Sequence, residues 1–115
     1  MTVYVLNTLI VPVDFDTHPQ VTVKLKRVSL EEARQLVERA LTGGELVSAI
    51  GHQGTAQVLS QLFGIEIPFN RITVYFQPGD EGLHFFLKTR LPEGKVLTAE
   101  ELKTLDFWLV HSQVL

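Results

Sequence analysis

The chain has 115 residues, with 45% hydrophobic and 20% charged side chains, so we expect a single folded domain over residues 1–115. It contains no cysteine, which excludes a disulfide framework, a thiolate zinc site and a cysteine nucleophile. Its formal net charge of −3 at pH 7 argues against a sequence-independent partner of duplex nucleic acid, because such proteins are normally basic.

The first residues predict two strands separated by a long connection. Residues 2–6 are β-branched and aromatic, which is typical of a strand. Prolines and aspartates over residues 11–20 indicate an irregular connection. Residues 21–28 alternate between apolar and polar side chains, so we expect a second strand there.

A helix and a short strand are expected next. Ser29 and Glu32 have the spacing of a capping box, in which each side chain bonds the backbone N–H of the other residue. Apolar residues then recur at helical spacing up to the stop at Gly43 and Gly44. A short strand is predicted over residues 45–50.

The middle of the chain predicts a second helix and a β-hairpin. The helix follows Gly51 and His52 and is closed by Gly64. Residues 71–77 and 83–90 alternate on either side of a turn that contains proline and glycine, which is typical of a hairpin.

The end of the chain predicts a further helix and a last strand. Thr98 and Glu101 repeat the capping-box pattern and open a helix to about Leu105, and a strand follows over Phe107–Val114. Strands and helices do not alternate regularly. We therefore expect a mixed α/β fold, with a five- or six-stranded mixed sheet and two to three helices mainly on one face.

The hairpin would bring two arginines together. A turn centred between Asp80 and Glu81 makes Val74 face Leu87 and Phe76 face Phe85, and it sets Arg71 opposite Arg90. Like charges in that position repel. Either both guanidiniums turn to water or to carboxylates such as Glu93, or they form a clamp for a phosphate.

The Gly51-His52 step also has two interpretations. A glycine between strand and helix allows a sharp turn, and the first N–H groups of the helix then form an anion site. Ser or Asp would be the ordinary cap at this position. His52 is either a half-buried histidine bonded to a carbonyl, or it transfers a proton at a phosphate.

Three other polar residues have open roles. Glu93 either pairs with Arg90, orients it in a phosphate site, or contacts a ribose hydroxyl. Asn7 and Thr8 end the first strand, where they bind a ligand or cap a turn. We assign no role to the remaining histidines, which are His18, His84 and His111.

Several classes of function lack their sequence signatures. No dinucleotide-binding glycine motif, P-loop or nucleophile elbow is present, and no carboxylate-rich cation site is apparent. We therefore expect chemistry without metal or cofactor. The longest apolar run is too short to cross a bilayer and the first residues lack a signal peptide's basic region, so we expect a cytoplasmic protein with no membrane partner.

The order of the motifs resembles that of the small viral ring nucleases, which are type III anti-CRISPR proteins with relatives in bacteria and mobile elements. The matching stretches are Leu6-Asn7-Thr8, Ser48-Ala49-Ile50-Gly51-His52-Gln53-Gly54-Thr55-Ala56, Asn70-Arg71 and Leu87-Lys88-Thr89-Arg90-Leu91-Pro92-Glu93-Gly94. The resemblance extends over nearly the whole chain, with the motifs in the same order.

The resemblance implies a homodimer that binds cyclic tetra-adenylate and cleaves it without metal to linear di-adenylate with a 2′,3′-cyclic phosphate. It implies that His52 is the general acid, that Arg90 supports the scissile phosphate and that Glu93 is its acidic partner. Arg71, Gly51, Asn7 and Thr8 would contact the ligand. Two alternatives to a ring nuclease are a non-catalytic sponge for the cyclic nucleotide and a small interaction protein of a mobile element.

Overall fold

The computed structural model describes residues 2–88, 101 and 106–115. Within these residues the elements are, in chain order, β1 (Val3–Leu6), β2 (Val23–Val28), α1 (Leu30–Thr42), β3 (Leu46–Ala49), α2 (Gln53–Phe63), β4 (Glu81–Leu87) and β5 (Phe107–Val114). The strands form one mixed sheet in the order β2-β5-β4-β1-β3. The expected mixed α/β fold is confirmed. The helix predicted from Thr98 to about Leu105 lies outside the described residues, apart from Glu101.

The centre of the sheet is parallel and one side of it is antiparallel. β1 runs parallel to β3 and to β4, with Leu6 paired to Ala49 on one side and to His84 on the other. β5 pairs antiparallel with both β4 and β2. The edge strand β2 carries Lys24, Lys26 and Arg27, and such charges discourage pairing with a further strand.

Both described helices form where the sequence predicts them. Ser29 and Glu32 make the reciprocal bonds of a capping box at the start of α1. Gly64 ends α2 with φ of 65°, a backbone conformation that favours glycine because a side chain would clash. Neither described helix has the length and apolar character needed to cross a membrane.

The two helices pack on the same face of the sheet. Their buried side chains share one core with the residues of the central strands that point to this face. Those strand residues are Val3, Val5, Leu83, Phe85 and Leu109. The prediction that the helices lie mainly on one face is therefore confirmed for the part of the chain that the structure describes.

Irregular chain covers the opposite face, which we call the far face. A second core lies there, formed by Leu6, Val74, Phe76 and Val114. The covering chain comes from residues 11–23 and 71–77. These two segments touch through a parallel bridge between Val13 and Phe76, and the Phe76 N–H donates to the carbonyl of Pro12 over 2.7 Å.

The predicted hairpin between residues 71–77 and 83–90 is wrong. β4 already has β1 on one side and β5 on the other, so it has no edge left for a hairpin partner. The predicted turn exists, with Gly79 at φ of 96°, but it leads from the far face into β4.

The alternating pattern of residues 71–77 arises from burial against the far face. Val74 and Phe76 are buried there because they pack on the sheet, while Tyr75 is exposed. Consequently Val74 does not face Leu87, Phe76 does not face Phe85, and the register that would set Arg71 opposite Arg90 does not form.

His84 of β4 and Ser112 of β5 form a buried polar pair between neighbouring strands. His84 of β4 is fully buried, and its Nδ1 lies 2.8 Å from the carbonyl oxygen of Thr8. Since a carbonyl only accepts, Nδ1 carries the proton, and Nε2 accepts from the hydroxyl of Ser112 over 2.7 Å. Burial lowers the pKa of His84 below its usual 6.5, and His111 nearby lowers it further.

We expect this histidine to make stability depend on pH. Above about pH 6.5 the imidazole is neutral in both folded and unfolded chains. Below that pH the unfolded chain binds a proton at His84 more readily than the folded chain does. The free energy of unfolding therefore decreases as the pH is lowered, by at most about 1.4 kcal/mol per pH unit. Urea unfolding at pH 7.5 and pH 5.5 measures the effect.

The matched comparison is between His84→Gln and His18→Gln. His84→Gln should flatten the pH dependence, because the amide replaces both hydrogen bonds without titrating. His18 lies outside the buried pair, with its Nε2 2.7 Å from Gln77 Oε1, so His18→Gln is the matched control for the same substitution. An equal slope in the His84→Gln protein and the wild type would contradict the assignment.

Candidate functional site

Three loops meet where the parallel strands end. Because β1, β3 and β4 are parallel, their carboxyl ends lie on one side of the sheet, which we call the carboxyl edge. Asn7 and Thr8 follow β1, Gly51 and His52 follow β3, and Lys88 follows β4. In open α/β sheets this is the edge at which ligands generally bind.

His52 is itself the N-cap of α2. Its backbone is extended, and Nδ1 accepts a hydrogen bond of 3.2 Å from the N–H of Thr55. His52 is half-buried, as the structural alternative supposes, but the partner that the structure gives its Nδ1 is the Thr55 N–H and not a carbonyl. Since the cap occupies Nδ1, the neutral ring carries its proton on Nε2.

Thr55 offers the imidazole a second partner. Its hydroxyl oxygen also lies 3.2 Å from Nδ1 of His52, and its side chain is buried. When the ring is neutral, the Thr55 N–H donates to Nδ1. When the ring is protonated, the hydroxyl oxygen can accept from Nδ1–H, so His52 keeps an anchor in both charge states.

The hydrogen bond from the Thr55 N–H to His52 leaves fewer free N–H groups for the anion site expected at the start of α2. The first turn of a helix has several N–H groups without a partner in the helix, and these attract anions. The Thr55 N–H is directed to the histidine ring instead. An anion at this position therefore needs side-chain cations in addition to the helix.

Arg71 supplies such a cation. Its aliphatic stem lies directly over Gly51, where an added Cβ would stand 3.3 Å from Cγ and 3.9 Å from Cδ of Arg71. Arg71 as a whole residue is exposed, so its side chain is accessible to a ligand. The structure thus brings Arg71 to the residue next to His52, although by a different route from the predicted hairpin.

Asn70 and Ser48 fix the position of Arg71. The Asn70 side chain donates to the carbonyl of Ser48 over 2.7 Å, and the Asn70 N–H donates to the carbonyl of Ile50 over 2.9 Å. The Ser48 hydroxyl in turn donates to the carbonyl of Pro68 over 2.6 Å. The segment before Arg71 is therefore tied to the end of β3. The roles of Ser48 and Asn70 were not predicted, because the contact joins residues about twenty positions apart.

The remaining predicted site residues divide into two groups. Asn7 and Thr8 lie at the carboxyl edge, where Asn7 is half-buried and Thr8 exposed. Arg90 and Glu93 lie outside the described residues. Lys88, the last described residue before them, is at the same edge and pairs with Asp106 over 3.4 Å.

A cavity of about 570 Å³ lies at the other end of the strands, away from the carboxyl edge, and is lined by residues that include Arg39, Asp80 and Gln113. No three histidine or acidic side chains among the described residues are grouped so that they could hold a metal ion. At the carboxyl edge the described residues place the His52 imidazole, the short polar side chains of Asn7 and Thr8, and the stem of Arg71 against Gly51.

Comparison with known proteins identifies relatives over nearly the full chain. A family model described as STIV B116-like matches residues 3–109. Uncharacterized protein ORF117 of Acidianus two-tailed virus is 42% identical over 109 residues, covering 94% of this chain and 89% of that protein. Protein YddF of Bacillus subtilis strain 168, also described as uncharacterized, is 35% identical over 80 residues, covering 70% of this chain and 72% of YddF.

A solved structure shares the fold. B116 of Sulfolobus turreted icosahedral virus superposes with a TM-score of 0.85 at 28% sequence identity, covering 98% of this chain and 99% of that one. The similarity therefore extends over the whole sheet and both of its faces.

Proposed function

The chain belongs to the STIV B116-like family, and we propose that it is a metal-independent ring nuclease for cyclic tetra-adenylate. The observation that carries the proposal is that the stem of Arg71 lies over Gly51, the residue before His52, at the carboxyl edge. An imidazole and a guanidinium that reach the same phosphate are suited to cleaving a phosphodiester. The identity of the substrate comes from the resemblance of the sequence motifs to those of ring nucleases.

The reaction is an internal transesterification. A ribose 2′ oxygen attacks the adjacent phosphorus, its proton passes to solvent, and the bond from phosphorus to the 5′ oxygen breaks. His52 gives a proton from Nε2 to the departing 5′ oxygen. Two such cuts convert one ring into two linear di-adenylates, each ending in a 2′,3′-cyclic phosphate, and the RNA supplies its own nucleophile.

Proton donation requires His52 in its protonated form. The Thr55 hydroxyl then accepts from Nδ1–H, which keeps Nε2 directed to the same place. After the transfer the neutral ring keeps its proton on Nδ1, so the Thr55 hydroxyl still accepts from it. Nε2 then regains a proton from solvent, and loss of the Nδ1 proton returns the ring to the tautomer that accepts from the Thr55 N–H. Thr55 thus holds the ring through both halves of the proton cycle.

Arginines stabilise the phosphate. A guanidinium can donate to two phosphate oxygens at once, and its positive charge stabilises the negative charge that develops on the phosphate in the transition state. In this proposal Arg71 binds the ring, Arg90 supports the scissile phosphate and Glu93 is the acidic partner of Arg90. Asn7 and Thr8 contact the ligand from the end of β1.

A second copy of the chain completes the site. Ligand pockets enclose most of a ligand, and in this proposal the second copy encloses the ring over His52 and Arg71. The far-face segment 71–77 exposes Ile72 and Tyr75 and also contains Arg71, and Ile10, just before the other far-face segment, is exposed as well. A two-fold axis through that stretch would bring two sites to opposite phosphates of one ring.

The cellular role follows from the substrate. Cyclic tetra-adenylate is the messenger of type III CRISPR defence, and its removal would counter or tune that defence in the host cytoplasm. The relatives come from archaeal viruses and from a bacterium, which fits a family that serves either side.

A non-catalytic binder is the second candidate. The observation that favours it is the cap, because His52 already has a structural task in holding α2. Such a protein would bind the ring through Arg71 and withhold it from its receptor without cutting it.

The first prediction concerns His52→Asn. Asparagine caps helices well, so α2 is kept while the proton donor is removed. Cleavage of cyclic tetra-adenylate in EDTA should fall about 10²- to 10⁴-fold, with unchanged affinity for the ring. Chromatography of the products and calorimetric titration measure the two effects.

His18→Asn is the matched control and should be fully active. Full activity of His52→Asn would contradict the general-acid role. A wild-type protein that binds the ring but produces no linear product would favour the binder, and one that does neither would contradict both candidates.

The second prediction concerns Arg71→Gln. Loss of a charge-assisted hydrogen bond costs about 1.5–3 kcal/mol, so ring affinity should weaken about ten- to hundredfold. The measurement uses the His52→Asn background, in which the ligand stays intact. Arg34→Gln makes the same change of charge on the exposed side of α1 and should bind normally. Equal affinity in both variants would exclude Arg71 from the site.

The third prediction concerns the dimer. Light scattering should give about twice the 12.9 kDa chain mass. Tyr75→Asp places a charge on the exposed far-face segment and should yield monomers that no longer cleave the ring. Leu41→Asp makes a comparable change at the exposed end of α1 and should remain dimeric. A monomeric wild type that cleaves the ring would contradict this arrangement.

A further inference from the structure

The loop after β1 has a buried anchor. Thr8 is exposed, and Leu9 and Ile10 behind it are exposed as well, so the loop gains little from packing of its own. Its carbonyl at Thr8 accepts a 2.8 Å hydrogen bond from Nδ1 of His84, a side chain with no exposed surface. The exposed loop is thereby tied to a fully buried group.

The buried side of this anchor is tightly constructed. Nε2 of His84 bonds the hydroxyl of the fully buried Ser112, and the ring of Phe76 lies nearly parallel to the imidazole at 6.4 Å. Beneath this hydrogen bond β4 has Gly82. A Cβ there would stand 2.5 Å from the Ser112 oxygen and 2.7 Å from Nε2.

The His84–Ser112 pair requires a residue without a side chain at position 82. Glycine weakens the interior of a strand, so its presence there usually marks a close approach of another group. Here the group is the His84–Ser112 pair, which no larger residue at position 82 would leave in place. The imidazole consequently has one orientation, with Nδ1 directed to Thr8.

We propose that His84 is a positioning residue for ring binding, because it holds the Asn7–Thr8 loop at the carboxyl edge. This inference rests on the proposed function. The loop and the His52 turn follow neighbouring strands, since Leu6 pairs with Ala49. Fixing the Thr8 carbonyl therefore fixes where the Asn7 and Thr8 side chains stand relative to His52 and Arg71.

The test compares His84→Leu with Ser112→Ala. Both variants disrupt the buried pair, but only His84→Leu removes the bond to Thr8. In the His52→Asn background, His84→Leu should weaken affinity for cyclic tetra-adenylate by about ten- to hundredfold, as misplaced binding groups do. Ser112→Ala should lose thermal stability while keeping its affinity.

His84→Gln tests the bond to Thr8 in a variant that keeps a polar side chain. It should recover most of the affinity, because its amide can donate to the Thr8 carbonyl. If His84→Leu does not fold, Ser112→Ala and His84→Gln are compared with the wild type by hydrogen exchange of residues 7–10, and faster exchange in Ser112→Ala than in His84→Gln would contradict the positioning role.

Hydrogen exchange in the protein without ligand provides a second readout. Amides of residues 7–10 should exchange faster in His84→Leu than in Ser112→Ala. Equal exchange and equal affinity in the two variants would overturn the positioning role and leave His84 a merely structural residue. A wild type that binds no ring contradicts the proposed function instead, and the exchange rates then still decide whether His84 holds the loop.

Discussion

The parallel pairing of β1 with both β3 and β4 is the constraint on which the rest of the molecule depends. It places the ends of three strands at one edge, and it requires the chain to cross the sheet twice through helices. Both helices lie on the same face, so the other face is left to irregular segments. Those segments carry Arg71 to the edge where His52 begins α2.

His52 caps α2, and the proposed general-acid role would give the same ring a second task. Serine, threonine, aspartate and asparagine are the preferred caps, so a histidine is a weaker choice for holding α2. What it adds is a ring with two nitrogens, one of which can hold the cap while the other faces a ligand. The Thr55 hydroxyl lies within reach of the same ring nitrogen as the Thr55 N–H, so Thr55 can hold that nitrogen whether or not it carries a proton. A purely structural account explains the cap but leaves the residue type unexplained.

Local signals predicted most of the described elements, and contacts between distant residues decided the rest. The Ser29–Glu32 capping box, the Gly64 stop and the strand at Phe107–Val114 are as predicted, because each depends on its immediate neighbours. Residues 71–77 were misassigned as a strand. The alternation of apolar and polar residues in this segment shows that one of its faces is buried. It does not show whether the segment is hydrogen-bonded to a neighbouring strand or packs on the face of a sheet.

The sequence predicts candidate residues for the site but not how they are arranged, and of those candidates the structure describes His52, Arg71, Gly51, Asn7 and Thr8. His52 was recognised from the glycine before it and the helix after it, whereas the contact of Arg71 with Gly51 depends on Asn70 holding the end of β3. His84 was assigned no role, since a polar residue in an alternating strand is ordinary. Gly82 is the signal that could have revealed it, because a glycine two positions away on the same face indicates a crowded neighbour.

Charge explains why a second copy would matter to this chain. With a net charge of −3, one chain has no general attraction for an anion with four phosphates. Among the described residues of the site, Arg71 is the one arginine, with its stem over the residue before His52. Two copies about a two-fold axis would double the guanidiniums in one place while the acidic side chains stay dispersed, so the local field becomes positive although the total charge becomes more negative. A symmetric ring supplies two equivalent phosphates to two equivalent sites, and in that arrangement a small acidic chain needs only a few fixed cations to hold it.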